Sequence, residues 1–396
     1  MAEPQVLPYV TEGDYARAAG APRQVLWPSG TLEGPPPLMF PRPPADFYDD
    51  EPLRLDFPAV THAVLRDIVV RGRSNMLTAA DAILRHDLVD PETDLPAEAF
   101  YGRLRPAAGD AAAEWEPFDP FNVDYLPEAA AFTDPASFNY AHWMTETLPR
   151  IAAFMQVRGA AHVPLVVDGD LHPNMLRSIA MAAGPQAPVY RLAPNRLVRV
   201  GRLHSISPTG YAPFKLRPGA TRRATHGVFA PGPLRDTVQR LRRAAGAEPS
   251  AAGGPRLLVR RSADLRRIVN QADIDDALLA RGFEVIDPGA MSLDEQVRAY
   301  SAASMVVGGT GAAITNLIFA PPRCPTIVMM PKLPVTAHWY WRRIAAAAGA
   351  GPVLHVIGDL TEPLLDPLDP QAAHRDFRIT VEDVLDAVAA GEALGG

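Results

Sequence analysis

The chain has 396 residues, 47% of them hydrophobic, and a formal net charge of −7. That length exceeds one ordinary core and predicts two domains, while the negative balance argues against a general nucleic-acid binder. A single cysteine, Cys324, excludes an internal disulfide and a cysteine-rich metal site, and fits a reducing compartment. The opening MAEPQVLPYV has neither a basic n-region nor an apolar h-region, and no run of about 18 apolar residues occurs. The expectation is therefore a cytoplasmic protein with no secretory signal and no transmembrane segment.

The 42 prolines concentrate early, as in GPPPLMFPRPPADF at 34–47. Residues 1–130 are expected to form a loop-rich segment packed on the first domain, with one strand at 59–72 (AVTHAVLRDIVVRG). From 131 to 247 an α/β domain is expected. HWMTETLPRIAAFMQ (142–156) spaces Met144, Leu148, Ile151 and Phe154 as one helix face. A short strand at 162–170, a helix at 174–184 stopped by Gly184, two strands at 188–192 and 196–207, and an amphipathic helix at 233–246 follow.

The small, turn-rich AEPSAAGGP (247–255) reads as a linker. Beyond it strands and helices alternate. Strands are predicted at 256–261, 283–288, 305–309, 326–331 and 352–358. Helices are predicted at 271–282, 292–304, 310–319, 337–349 and 381–393. Ser292 and Glu295 have capping-box spacing. Such alternation means βαβ units and a parallel sheet, here a Rossmann-like domain over 256–358, followed by a C-terminal tail and helix over 359–396. Ligands of such sheets sit at the carboxyl ends of strands, where Arg260, Arg261, Asp287 and Gly308-Gly309 fall.

The junction VVGGTGAAITNLIF (306–319) admits three readings. A nicotinamide loop needs G-x-G-x-x-G and an acid about 20 residues on. Gly309 and Gly311 fit, but Ile314 takes the third place and no carboxylate occurs between Glu295 and Asp359. Walker A lacks its Gly-Lys-Ser/Thr. A phosphate cradle asks only for helix N-terminal amides and close approach at glycine. Arg298, Arg323, Lys332, Arg342 and Arg343 supply positive charge over 296–358, with Arg260, Arg261, Arg266 and Arg267 upstream. The plain alternative is a tight turn beside a solvated basic face.

The runs NYAHWMTETLPRI, LLVRRSADLRRIVNQADI and LLARGFEVIDPGAMSLDEQVRAYSAASMVVGGTGAAITNLIF, with HWYWRRIAAAAG after them, resemble glycosyltransferase family 61. The resemblance spans roughly residues 135–355. It implies an α/β fold of the GT-B type, with two Rossmann-like domains and a cleft between them. It implies inverting transfer of a sugar from a nucleotide-sugar donor, a UDP-sugar first, to a glycan or lipid-linked acceptor in polysaccharide biosynthesis, with no metal or other cofactor. A lipid-linked acceptor would bring the protein to a membrane surface. Residue by residue, Arg260, Arg266 and Asn270 match the family's arginine–asparagine motif. Thr310, Gly311, Ala312 and Asn316 match its nucleotide-phosphate motif. His142 and Glu146, four apart on one helix face, match the acceptor-side motif, with Glu146 as first choice of base and His142 second. Two positions depart from the pattern. Thr310 stands where the family has histidine, and Met329 or Met330 where it has a glutamate suited to a ribose. A diverged member that binds glycan or nucleotide without turnover therefore stays open, as does a nicotinamide oxidoreductase.

Other candidates carry less. LVVDGD (165–170) places Asp168 and Asp170 as a possible divalent-metal pair, or as a turn. DFYDDE (46–51) is acidic but proline-flanked. His338, Trp339, Tyr340 and Trp341 could line a sugar site, with core packing the plainer reading for Trp341. His355 is expected in the core. Cys324 has no neighbouring base that would make it a nucleophile.

Overall fold

The computed structural model describes residues 5–42, 51–107, 111–115, 123–220, 227–248, 253–260, 265–333, 338–363 and 374–395. Arg261 and residues 46–50 of the acidic DFYDDE run lie outside them. Two units emerge: one comprises residues 1–30 and 56–237, the other 31–55 and 238–396.

The first unit is built on a mixed sheet of 11 strands. Its centre is β1 (Val60–Arg71), β2 (Val123–Ala131), β3 (Leu165–Asp168), β4 (Val189–Leu192) and β5 (Leu197–Ile206). The spatial order is β1-β5-β2-β3-β4. β5, β2, β3 and β4 run parallel, and β1 is antiparallel to β5. Helix α1 (Leu148–Phe154) lies between β2 and β3, and α2 (Pro173–Ala183) between β3 and β4. The apolar runs make this a sheet buried on its inner faces, as parallel sheets must be. Leu65, Ile68, Ala129, Val166, Val198, Val200 and Leu203 share one core cluster.

The amino-terminal 130 residues hold far more strand than a loop-rich segment would. β1 is central rather than peripheral, and Gln5–Thr11, Leu77–Thr78 and Ile83–Arg85 extend its sheet. These strands are short and interrupted by proline and glycine, which is why period-two alternation barely shows in the sequence.

The second unit carries β6 (Arg256–Val259), β7 (Phe283–Ile286), β8 (Met305–Gly309), β9 (Thr326–Pro331) and β10 (Val353–Leu360), all parallel. Their order is β7-β6-β8-β9-β10. Helices α3 (Gln271–Leu279), α4 (Leu293–Ala302) and α5 (His338–Ala348) connect them. The Ser292–Glu295 capping box forms at the start of α4. Residues 31–55 belong here, because Leu38–Phe40 adds a parallel strand to β10 and Met39 packs with Met330 and Ile357. The expected tail is likewise part of this core. Phe377–Arg378 pairs antiparallel with β10, and α6 (Val381–Gly395) buries Val384, Ala387 and Val388.

Among the described residues no helix is long and apolar enough to cross a membrane.

Candidate functional site

The helix that carries His142 and Glu146 is not regular. Tyr140–His142 is α-helical, Trp143–Thr147 is a π-helical turn, and α1 resumes at Leu148. Asn139 caps the start by accepting from the Ala141 N–H at 3.0 Å. The Leu148 N–H reaches back five residues to the Trp143 carbonyl. Pro149 explains the widening. It has no N–H for the Thr145 carbonyl, and its ring would strike that carbonyl in a regular helix. The carbonyl of Glu146 is then taken by the Thr209 hydroxyl at 3.1 Å. Met144, Leu148, Ile151 and Phe154 are all fully buried, as their spacing predicts.

The π turn faces the carboxyl ends of β2 and β5. In chain order β2, β3 and β4 step one way along the sheet, and β5 then returns to the other side of β2. The crevice between β2 and β5 is the unit's topological switch point, where open α/β sheets bind ligands. A pocket lies there, lined by Asp134 and Ala136 after β2, His142 and Glu146 on the π turn, and Gly210 and Tyr211 after β5. Gly210 fits because a Cβ there would sit 2.6 Å from the Thr145 carbonyl oxygen.

His142 Nδ1 lies 2.8 Å from Glu146 Oε1, with the two side chains 21% and 12% exposed. The pair is reachable yet largely desolvated. Glu146 Oε2 accepts from the Ala212 N–H at 3.2 Å, which fixes the carboxylate. Burial works against the His142 imidazolium, but the neighbouring Glu146 charge, with Asp134 behind it, outweighs it and raises the imidazole above an ordinary histidine.

Asp134 is a third titratable group at the site, beside His142 and Glu146, that the sequence reading missed. Burial first, then the Glu146 charge, pushes its carboxyl up to about 6, against hydrogen bonds from Ala136 N–H and the Asn75 amide. The signal was present, an Asp just past a β-strand, but no periodicity marks it. Two neighbours stay in the forms burial favours. His86 is pushed down to about 3 by burial and Arg150, and the Tyr211 hydroxyl, raised by burial, donates to Asp94 at 2.5 Å.

Asp168 and Asp170 are both engaged locally. Asp168 is fully buried and accepts from the Arg73 N–H (2.6 Å), the Asp134 N–H (3.0 Å) and the Ser137 hydroxyl (2.6 Å). Asp170 pairs with the Arg73 guanidinium at 2.7 Å. Asp168 therefore ties β3 to the loop that presents Asp134. Among the described residues no group of three or more His, Cys, Asp or Glu is arranged to hold a metal ion.

The second unit has a switch point of its own, between β6 and β8. Its strand order is 2-1-3-4-5 by position in the chain. Arg260 follows β6 there, and Thr310-Gly311 follow β8, with Val259 and Gly308 in register. Gly308 is needed because a Cβ would lie 2.9 Å from Val259 Cβ. Gly311 adopts φ 156° and ψ 179°, a region open essentially to glycine alone. Residues Ala312–Phe319 form a 3-10 helix rather than the α-helix expected, since burial from Ile314 through Phe319 lets packing override propensity.

The polar side chains at this corner have specific partners. Arg260 pairs with the buried Asp275 of α3. Arg266 sits in left-handed backbone (φ 58°), with its N–H on the His374 carbonyl at 3.1 Å. The Asn270 amide bonds both the carbonyl and the N–H of Ile379, at 2.7 and 3.2 Å. Asn316 is fully buried and donates to Gln296 Oε1 at 2.7 Å. The Thr310 hydroxyl accepts from Trp341 Nε1 at 3.1 Å, and Trp341 is itself in the core. The Ala312 position begins the 3-10 helix. The other cations are dispersed: Arg298 donates to the Ala245 carbonyl, Arg342 to the Pro35 carbonyl, and Arg343 stacks on Trp339.

His355 is fully buried mid-strand. Burial pushes the Cys324 thiol up to about 12, which removes the thiolate a nucleophile needs. Met329 and Met330 are both in the core.

A search of curated proteins finds no match. The family model described as Glycosyltransferase 61 matches residues 140–328. The match opens on the helix of His142 and Glu146, takes in Arg260 through Asn316, and ends just before Met329. The family implies transfer of a sugar from a donor to an acceptor, and the stretch from 140 to 328 belongs to glycosyltransferase family 61.

Proposed function

We propose that this protein is an inverting, metal-independent glycosyltransferase of GT-B type that uses a nucleotide sugar, with a UDP-sugar as first choice, to extend a glycan. The observation that carries this reading is the His142–Glu146 dyad at the switch point of the first unit's parallel sheet, inside the matched segment. In inverting transfer a base removes the acceptor hydroxyl proton while the diphosphate leaves the anomeric carbon. Both Glu146 oxygens are already engaged, by His142 and by the Ala212 N–H. The imidazole is then the proton acceptor, and Glu146 orients it and stabilises the imidazolium. This reverses the order of choice drawn from sequence. Asp134, mostly ionised at neutral pH with its carboxyl at about 6, would accept a hydrogen bond from an acceptor hydroxyl.

In the second unit the backbone amides of Gly311 and Ala312 and the Arg260 guanidinium suit the donor diphosphate, since the Thr310 N–H is taken by the Met329 carbonyl at 2.7 Å and Arg260 is about half exposed while paired to Asp275. Asn270 and Asn316 would support this corner through Ile379 and Gln296 rather than touch the donor. Arg266 would act on the donor only through its side chain.

A second reading, a glycan-binding protein without turnover, draws on the burial of Met329 and Met330, which leaves no ribose acid on that strand. Nucleoside diphosphate release from a panel of UDP- and GDP-sugars separates the two. The transferase reading expects release stimulated by a sugar acceptor and lost in His142→Ala and Arg260→Ala. Tight NADH binding with no release from any donor would reject it.

A further inference from the structure

The pocket between β2 and β5 has an uneven chemistry. Three carboxyl groups line it, Glu98, Asp134 and Glu146, and no lysine or arginine is among its lining residues. Glu98 is fully buried on the short helix Ala97–Phe100. Its Oε1 accepts from the Ser74 hydroxyl, while Oε2 is buried with no hydrogen-bond partner. Burial raises the Glu98 carboxyl above its usual range. A buried carboxyl oxygen left unmatched is costly unless something else donates to it. The pocket also has an aromatic face. Phe214 lines it and packs 5.9 Å from Phe100 and 6.1 Å from Tyr101, centroid to centroid. Outside the pocket Phe100 and Tyr101 are 45% and 62% exposed, with the Lys215 ammonium 3.7 Å over the Phe100 ring and the Arg103 guanidinium 5.7 Å over Tyr101.

Hydroxyl acceptors together with an aromatic face suit a ring with polar edges and a C–H face. A negative charge on the ligand would meet three carboxyls in a partly desolvated space, where the basic group of the lining, His142, is already paired with Glu146. We propose that this pocket is the acceptor subsite and that it takes a neutral, polyhydroxylated sugar ring, stacked on Phe214 with hydroxyls donated to Glu98 and Asp134, and not a uronic acid or phosphorylated sugar. The proposal rests on the glycosyltransferase reading above for the word acceptor alone; the pocket's preference is a matter of its own chemistry.

Saturation-transfer NMR on the full chain tests it, with methyl glycosides of glucose, galactose, mannose and xylose against methyl glucuronide. Neutral glycosides should bind and the glucuronide should not. Phe214→Ala and Glu98→Gln should each weaken the neutral ligand about tenfold, roughly the value of one contact of this kind. Phe214 is partly exposed, so its variant keeps the test open if Glu98→Gln unfolds, which circular dichroism would reveal. Glucuronide binding as well as the neutral glycosides, no binding by any glycoside, or binding unchanged in both variants overturns the proposal. Nucleotide release is read in parallel. Turnover stimulated only by acidic acceptors sinks the neutral-sugar assignment and leaves the transferase standing. Neutral binding with no release from any donor does the reverse.

Discussion

Replacing Asp168 separates a structural carboxylate from a metal ligand. In Asp168→Ala three donors lose their acceptor at once: the Arg73 N–H, the Asp134 N–H and the Ser137 hydroxyl. Each orphaned donor costs about 1–3 kcal/mol. Burial already disfavours the Asp168 charge and raises its carboxyl, so removing it returns part of that sum. A net loss of about 3–5 kcal/mol is expected for Ala. Asp168→Asn keeps an acceptor oxygen and should cost about half as much. Urea unfolding read by tryptophan fluorescence measures this, since Trp143 is fully buried in the same unit. Because Asp168 holds the Asp134 backbone, both variants should also lose affinity for the acceptor, and added Mn²⁺ should change nothing. An Asp168→Ala protein within about 0.5 kcal/mol of the parent, inactive and metal-insensitive where the parent responds to Mn²⁺, refutes the structural account.

The remaining expectations concern the site groups and their neighbours. His142→Ala should lower kcat by about 10²–10⁴-fold, the range of a positioned general base. The rising limb of kcat/KM against pH should lie above the ordinary histidine value in the parent. In Glu146→Gln it should move down, because burial then acts on His142 against less opposition; an unmoved limb removes Glu146 from the dyad. His142, raised in the fold, adds stability that is full below its unfolded pKa and fades as pH climbs through the folded one. Asp134, also raised, works against the fold once pH passes from the usual aspartate range through about 6. Asp134→Asn should therefore gain stability over the parent at pH 8 and show no difference at pH 4, as thermal melts at the two pH values would reveal. Asn316→Ala, which strands a buried Gln296, should cost about 1–3 kcal/mol in chemical denaturation.

Much of the second unit was legible because its strands are β-branched runs separated by helices of ordinary length. The capping box at Ser292 and the glycine turn after β8 announce themselves by residue type. The π turn at Trp143–Thr147 did not, although Pro149 is its cause, because a 3.6-residue period and a 4.4-residue period cannot be told apart over five positions. The fate of residues 31–55 was illegible for a different reason. Which sheet a three-residue strand joins is decided by contacts 291 and 318 residues away, between Met39 and the pair Met330 and Ile357. The roles of Asn270 and Asn316 were read from motif position. Their burial and partners lie in tertiary contacts that no local pattern encodes.

Each unit, taken by itself, reaches its candidate chemistry by the same topological step. In the first, β5 returns past β2, and the two loops released there carry Asp134 and Gly210 toward the π turn. In the second, β8 returns past β6, releasing Arg260 on one side and Thr310-Gly311 on the other. A reversal of strand order forces neighbouring loops apart, and the gap is where unpaired backbone groups and polar side chains can meet a ligand. The side-chain content then differs. The first gap is carboxylate-rich and holds an imidazole raised by its neighbours, which suits taking a proton. The second offers main-chain amides beside a guanidinium and a glycine without a Cβ to block approach, which suits an anion. Proton removal and leaving-group stabilisation are the two demands of the proposed inverting transfer, and the chemistry suited to each lies at a different switch point.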